Sequence, residues 1–494
     1  MAPFSGLTFE PSRLPPHEKV SAWVETISQF GPRLTGNDAH RRCVDFVGVE
    51  LERTGLTVMR DARYFQRWEP ETWTLTITGG VPQKLRVAYP FPYSGRTQST
   101  GVDGQLAWFS GAPYSFRRAA GKIAVVNVQT RRLSPFILRL LTKRIAALPA
   151  DADLMRTERT PLLSGLTSRV SLRRAGEAGV LGVICVWRGC AEDDVENQYL
   201  PFTTPYTNCP ALWVGPAAGD LLEAACKRGD GAHLVLEARL DDRVKTETIY
   251  AVLPGTDANE TIIVNTHSDG PNITEENGII GVLALANYFT SLPLASRQRT
   301  IVFVVATGHF QLSQLGNGGQ ATKAWLDHHP ELWDGALGHK RAVAGLTLEH
   351  LGCLEWKEND LGDSYGPTGE LERELVYATN ATMQDVYRAA VKGRTKLRSL
   401  VVEPRNGFFL GEAEPLFDSG IPSISLCPLP NYLCVVSKDG GVERLDLDLM
   451  YQQITSFVKS LLQIDAIPTA SIGNVDRDWT SFIGKFAKLI FASS

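Results

Sequence analysis

The sequence predicts an α/β protein with a mixed central sheet sandwiched by helices and interrupted by an inserted, mostly β domain. Three observations carry that expectation. From about Thr246 onward, β-branched strands alternate with apolar helices, the pattern of a layered α/β sheet. Before that, residues 83–242 hold short strands such as Lys122–Val128 and Val180–Val186 among loops rich in Pro, Gly, Ser and Thr. The first 82 residues read as two helices and a strand. The expected division is therefore 1–82 with 243–494 as the α/β domain and 83–242 as the insert, a size consistent with a chain of 494 residues.

Taken in order, His17 to Phe30 carries Val20, Trp23, Val24, Ile27 and Phe30 at helical spacing and stops at Gly31-Pro32. Asn37-Asp38 offers an N-cap for a helix through Arg53, with Gly55 past its end. Thr72 to Thr78 alternates as a strand. Within the insert, Leu133 to Leu148 mixes apolar and basic residues. It is expected as an amphipathic helix lying on the domain, in preference to a lid or a lipid-contacting surface. Strands then follow at Thr261–Thr266, Thr300–Ala306, Val343–Leu348 and Pro422–Leu426, with helices at Gly278–Phe289 and Leu447–Leu462.

Composition narrows the function. Lys plus Arg total 50 against 54 for Asp plus Glu, a net charge of -4, which argues against a nucleic-acid partner. No apolar run reaches the roughly 18–20 residues of a membrane span. Met1-Ala-Pro-Phe-Ser-Gly leads into no apolar stretch, so no secretory signal is expected. The eight cysteines are scattered without a C-x-x-C pair and read as reduced, mostly buried thiols, so a cytoplasmic location is expected. No G-x-S-x-G elbow is present, which counts against a serine-hydrolase mechanism.

The informative residues lie just beyond strand ends: His267, His309, Glu349 and His350. In open α/β sheets this edge gathers side chains from neighbouring strands into one crevice. Two imidazoles and a carboxylate there suit Zn²⁺ or a similar divalent transition metal, with water completing the shell. Asp269, two residues after His267, is expected to accept a hydrogen bond from that ring and fix its tautomer.

These segments resemble the core of the zinc aminopeptidase, glutamate carboxypeptidase and glutaminyl cyclase superfamily. The H-x-D motif matches His267-Ser268-Asp269, the acidic loop matches Glu275-Glu276-Asn277-Gly278, and Glu349 matches a later acidic ligand. Phe417-Asp-Ser-Gly-Ile-Pro422 resembles the family's F…GIP segment. Arg173–Gly179 and Pro210–Val214 in the insert resemble a protease-associated domain. The resemblance implies a metallopeptidase fold and a hydrolase ancestry. It also implies a site that departs from the family's two-zinc centre. Glu276 stands at the bridging position in place of Asp. Gly308-His309 stands where two adjacent glutamates, one of them the general base, belong. No histidine lies near Tyr432-Leu433-Cys434, where the last ligand belongs.

Three readings remain open from the residues. One is a one-metal enzyme with His267, Glu276, His309 and Glu349 as ligands and Glu275, His309 or His350 moving protons. Another is a metal-free acid–base enzyme, a cyclase, isomerase or lyase. The third is a binding protein that keeps the cleft. Asp269, Glu412 and Tyr432 are expected to support the site or touch substrate. The expected partner is a small-molecule amide, ester or related carbonyl compound, with ordinary dipeptides and amino-acid amides cleaved poorly.

Overall fold

The structure, a computed structural model, describes residues 8–112, 114–405 and 409–476; the first six residues read above for a leader lie outside them. The strands that place the site are, in chain order, β1 (Val58–Ile77), β2 (Val102–Phe109), β3 (Ile123–Gln129), β4 (Thr142–Leu148), β5 (Gly182–Arg188), β6 (Ala211–Val214) and β7 (Gly231–Leu253). They continue with β8 (Asp257–His267), β9 (Arg299–Ala306), β10 (Arg341–Leu348), β11 (Glu374–Ala378), β12 (Ser399–Pro404) and β13 (Ser423–Leu426). The helices that matter are α1 (His17–Ser28), α2 (Asp38–Glu52), α3 (Pro135–Leu141), α4 (Pro161–Leu166), α5 (Pro216–Arg228), α6 (Gly278–Thr290), α7 (Ala321–His328) and α8 (Leu447–Ala466).

At the centre of the sheet, β9, β8, β10 and β13 run parallel, flanked by antiparallel β7 on one side and antiparallel β11 on the other. The sheet is therefore mixed, as expected. Side chains alternate across it. Ile262 and Val264 pack with residues of α1, α2, α6 and α8 on one face. Ile263, between them, packs with Trp325 and Leu326 of α7 on the other. Helix α6 is apolar almost all round, and nearly every one of its residues is buried, the expected fate of a helix with no polar face. The Asn37 side chain accepts from the His40 amide and starts α2 as its sequence predicts. Among the described residues no helix is long and apolar enough to cross a membrane, and all eight cysteines are free.

The insert departs from the expectation of a separate, mostly β domain. Its strands β6, β5, β3 and β2 lie side by side and parallel, and α5 packs on them. β3 and β5 are almost continuously buried. Short apolar runs of that kind suit helix-covered parallel strands, but in sequence they carry no label of strand direction. The boundary near 242 also falls inside a strand. β7 pairs with β2 at Gly231–Leu234 and with β9 at Ile249–Leu253, so one long strand joins insert and core into one hydrogen-bonded sheet. β1 pairs with β7 along almost its whole length, with irregularities beside Phe65 and Pro70.

The segment 133–148 differs too. It begins as a helix, with the Ser134 hydroxyl accepting from the Ile137 amide and Pro135 in the first turn. Helix α3 then stops after Leu141, where the Thr142 hydroxyl turns back to the Leu138 carbonyl. The remaining residues form β4, which pairs antiparallel with β12 at the far edge of the sheet. An unpaired sheet edge outweighs the helical preference of the run.

Candidate functional site

Three of the four parallel strands of the core, β8, β9 and β10, deliver polar residues to their carboxyl edge. His267 ends β8. After β9 the chain turns through Gly308, whose φ of 102° is left-handed; a Cβ there would also come within 2.6 Å of the Leu315 side chain. His309 follows immediately. After β10 come Glu349 and His350, and His350 itself has a left-handed φ of 54°, an uncommon conformation for a residue with a Cβ.

The Asp269 carboxylate holds the turn after β9. It accepts from the amides of Gly308 (3.1 Å), His309 (3.3 Å) and Phe310 (2.9 Å) and from the Thr35 hydroxyl (2.6 Å). It does not take the His267 ring, as the H-x-D spacing suggested. That ring donates from Nδ1 to the Asp269 backbone carbonyl at 2.9 Å. The carboxylate is drawn to three clustered amide donors that would otherwise be buried without a partner.

Three histidines share one design. His267 Nδ1 faces the Asp269 carbonyl, His350 Nδ1 faces the Pro428 carbonyl at 2.7 Å, and His309 Nδ1 faces the Glu412 carboxylate at 2.7 Å. A carbonyl only accepts, so Nδ1 of His267 and His350 must carry hydrogen. This leaves every Nε2 turned inward. Glu275 sits among them, with Oε2 3.1 Å from His350 Nε2 and Oε1 3.8 Å from His309 Nε2. Glu349 Oε1 lies 3.6 Å from His267 Nε2, and the rings of His267 and His309 stack with centroids 4.1 Å apart. His267 Nε2 is buried without a hydrogen-bond partner. Buried polar atoms of that kind ask for a ligand.

Burial and the neighbouring His309 push the His267 imidazole down to about 4. Burial would also lower His309, but the Glu412 hydrogen bond and charge outweigh it and raise that ring to about 9. Glu412 is itself buried, yet His309, His267 and the Thr322 side chain hold its carboxyl down at about 2; it accepts from the Thr322 amide at 2.6 Å. It also accepts from the Ala321 amide at 3.1 Å, so it stands at the first turn of α7, where helix amides and dipole favour an anion. Burial pushes Glu349 up to about 7. Its two oxygens accept from the Glu412 amide at 3.0 and 3.2 Å. Gly411 leaves it room: a Cβ there would lie 2.1 Å from Glu349 Oε2.

Glu276 is the residue the structure takes away from this group. Its carboxylate forms a buried ion pair with Arg33, and burial still pushes it up to about 7. Arg33 is tied to Gly270 through a two-way backbone bridge and to the Ile27 carbonyl at 2.9 Å. Glu275 and Glu276 are adjacent in the turn leading into α6, so their side chains diverge. The Asn272 side chain decides which one faces the histidines. Its oxygen accepts from the Thr274 and Glu275 amides, and its nitrogen donates to the carbonyls of Tyr432, Leu433 and Val435. The Tyr432 hydroxyl donates to the Leu354 carbonyl at 2.7 Å and offers nothing to the histidines.

A metal ion fits this donor set. His267, Glu275 and His309 each offer one ligand atom, all within 4.8 Å of one another. Both rings are held from behind through Nδ1, the arrangement that outer-shell acceptors impose on metal-binding histidines. Two imidazoles and a carboxylate suit Zn²⁺ or a similar divalent transition metal. Phe202, from the insert, covers the group, with its ring 5.4 Å from His309 and 4.6 Å from Phe310. Sequence reasoning missed Arg33, Asn272 and Phe202. None lies in a recognisable spacing; Asn272 alone carried a signal, a side chain able to bind backbone in a Pro-Asn turn.

No protein-family model and no curated protein matches the chain. Solved structures do. BSAP, a zinc aminopeptidase from Bacillus subtilis, superposes with a TM-score of 0.61 at 14% identity, covering 95% of this chain and 98% of its own. A Peptidase M28 precursor from Shewanella amazonensis SB2B gives 0.60 at 17% identity, with 92% and 96% covered. An aminopeptidase from Aneurinibacillus sp. strain AM-1 gives 0.57 at 15% identity, with 90% and 93% covered. The chain has the fold of zinc aminopeptidases.

Proposed function

We propose that this protein is a one-metal enzyme that hydrolyses a small-molecule amide, ester or related carbonyl compound. One observation carries the reading: three histidines are locked through Nδ1 with their Nε2 atoms turned to the carboxylates of Glu275 and Glu349. His267, Glu275 and His309 hold the ion. The chemistry such an ion supplies is Lewis-acid polarisation of a carbonyl and activation of water at neutral pH.

The other residues do the positioning and proton work. His350 lies outside the ligand set, its Nε2 3.1 Å from Glu275; it holds and moves a proton at that atom while the Pro428 carbonyl keeps its tautomer. Glu349 faces the same space beside His267 and orients the reacting group. Glu412 holds His309 in place. Glu276, paired with Arg33, is held away from the ion and does not bridge a further one. The site is buried, with Phe202 against His309, and excludes bulk water, which strengthens every charge interaction inside.

Metal analysis of the purified chain, run with an amide and ester panel, tests this. The reading expects about one transition-metal ion per chain, chelator-sensitive hydrolysis of small esters or amides, and poor turnover of dipeptides. Two ions per chain with robust aminopeptidase activity would overturn it. So would activity that persists after complete metal removal, which would favour metal-free acid–base chemistry.

A further inference from the structure

A second cleft lies on the insert, at the carboxyl ends of β2, β3 and β5. The chain leaves these strands at 110–112, 129–131 and 188–189, and residues 164–169 at the end of α4 face them across a space of about 650 Å³. Ligands of open α/β sheets bind at this edge, and the volume is that of an ordinary small-molecule pocket.

The lining is rich in donors: Arg131, Arg169, Arg188, Asn127, Gln129 and Ser168 border it, and among the described residues no Asp or Glu does. Arg188 is already engaged. Its Nε donates to Asn127 Oδ1 at 3.1 Å, and its guanidinium pairs with Asp220 and, at 3.7 Å, Glu223 on α5. Arg131 and Arg169 differ. The Arg131 guanidinium makes one long hydrogen bond, 3.4 Å to the Thr167 carbonyl, and has no carboxylate partner among the described residues. Arg169 makes no hydrogen bond or ion pair among them. The Asn127 oxygen is occupied by Arg188, so its amide nitrogen remains as a donor. Two arginines bordering one concave space, with no carboxylate among its described lining residues, match a ligand that brings its own negative oxygens. Guanidinium is the side chain whose planar fork fits carboxylate and phosphate bidentately.

We propose that this cleft binds a small molecule through an oxyanion group, carboxylate or phosphate, held by Arg131 and Arg169. The site is separate from the histidine centre and does not depend on what that centre does. Isothermal titration of the full chain with sodium phosphate and, separately, sodium succinate, at constant ionic strength, tests it. The expected result is saturable binding of at least one probe, weakened about tenfold or more in an Arg131→Ala/Arg169→Ala double variant. Both arginines are exposed, so that variant keeps its fold, which circular dichroism checks. Binding should be unchanged in His267→Ala, and the preferred probe identifies the oxyanion. Absence of saturable binding by both probes would overturn the proposal. Equal affinity in the double variant would overturn it as well, and so would binding lost in His267→Ala but kept without the arginines.

Discussion

At the carboxyl ends of β8, β9 and β10, with the loop leading into α6, the chain buries three histidines and two glutamates facing one another. At the carboxyl ends of β2, β3 and β5 it leaves arginines and amides around an open cleft without a carboxylate. Both places are made by the same device, parallel strands that stop together. The chemistry differs because the side chains differ, which is why topology locates a crevice without naming its ligand. The two also differ in what they cost. Burying five ionisable groups is expensive unless each is held, and the core site holds them with the Asp269 and Pro428 carbonyls, Glu412 and Asn272. The insert cleft leaves Arg131 and Arg169 in solvent and needs no such support.

Substitutions should separate the two regions. The largest effect belongs to His267→Ala, which removes a ligand. Metal affinity should fall by more than the roughly 10–100-fold that outer partners control, and hydrolysis should drop to background while circular dichroism stays native; metal content after dialysis reads the result. His350→Gln comes next. It should keep the metal and lower kcat by about 10²–10⁴-fold, the usual contribution of a positioned acid or base, as steady-state kinetics would show. Glu412→Gln should weaken metal binding by about 10–100-fold, because the His309 ring loses its anchor; competition with a chromogenic chelator measures this. The smallest effect is expected for Phe202→Ala. Removing the ring over His309 should change kcat by only a few-fold while relaxing size selection across a series of ester substrates. None of these four changes should alter phosphate or succinate binding at the insert cleft.

Much of the core site was legible in the sequence because strand ends are legible. A β-branched run followed by a polar residue points to His267, His309, Glu349 and His350 at strand ends. The choice between Glu275 and Glu276 was not legible. Adjacent residues at a helix start diverge, and the deciding contacts come from Arg33, more than two hundred residues earlier in the chain, and from Asn272 binding the 432–435 backbone. Asp269 was placed near His267 but given the wrong atom, since spacing cannot show three amides converging on its carboxylate. In the insert, short buried strands gave their positions but not their direction. A helical pattern at Leu133–Leu148 yielded after Leu141 to a sheet edge that only the folded chain presents.

The central claim is that one ion sits between His267, Glu275 and His309, with Glu276 held away by Arg33. An anomalous-difference map from crystals of the zinc-loaded protein, recorded at the zinc edge, tests it most directly. The account predicts a single peak within bonding distance of His267 Nε2, His309 Nε2 and a Glu275 oxygen, with the Arg33–Glu276 pair intact. A peak bonded to Glu276, a second peak beside it, or no peak among the histidines would contradict the account.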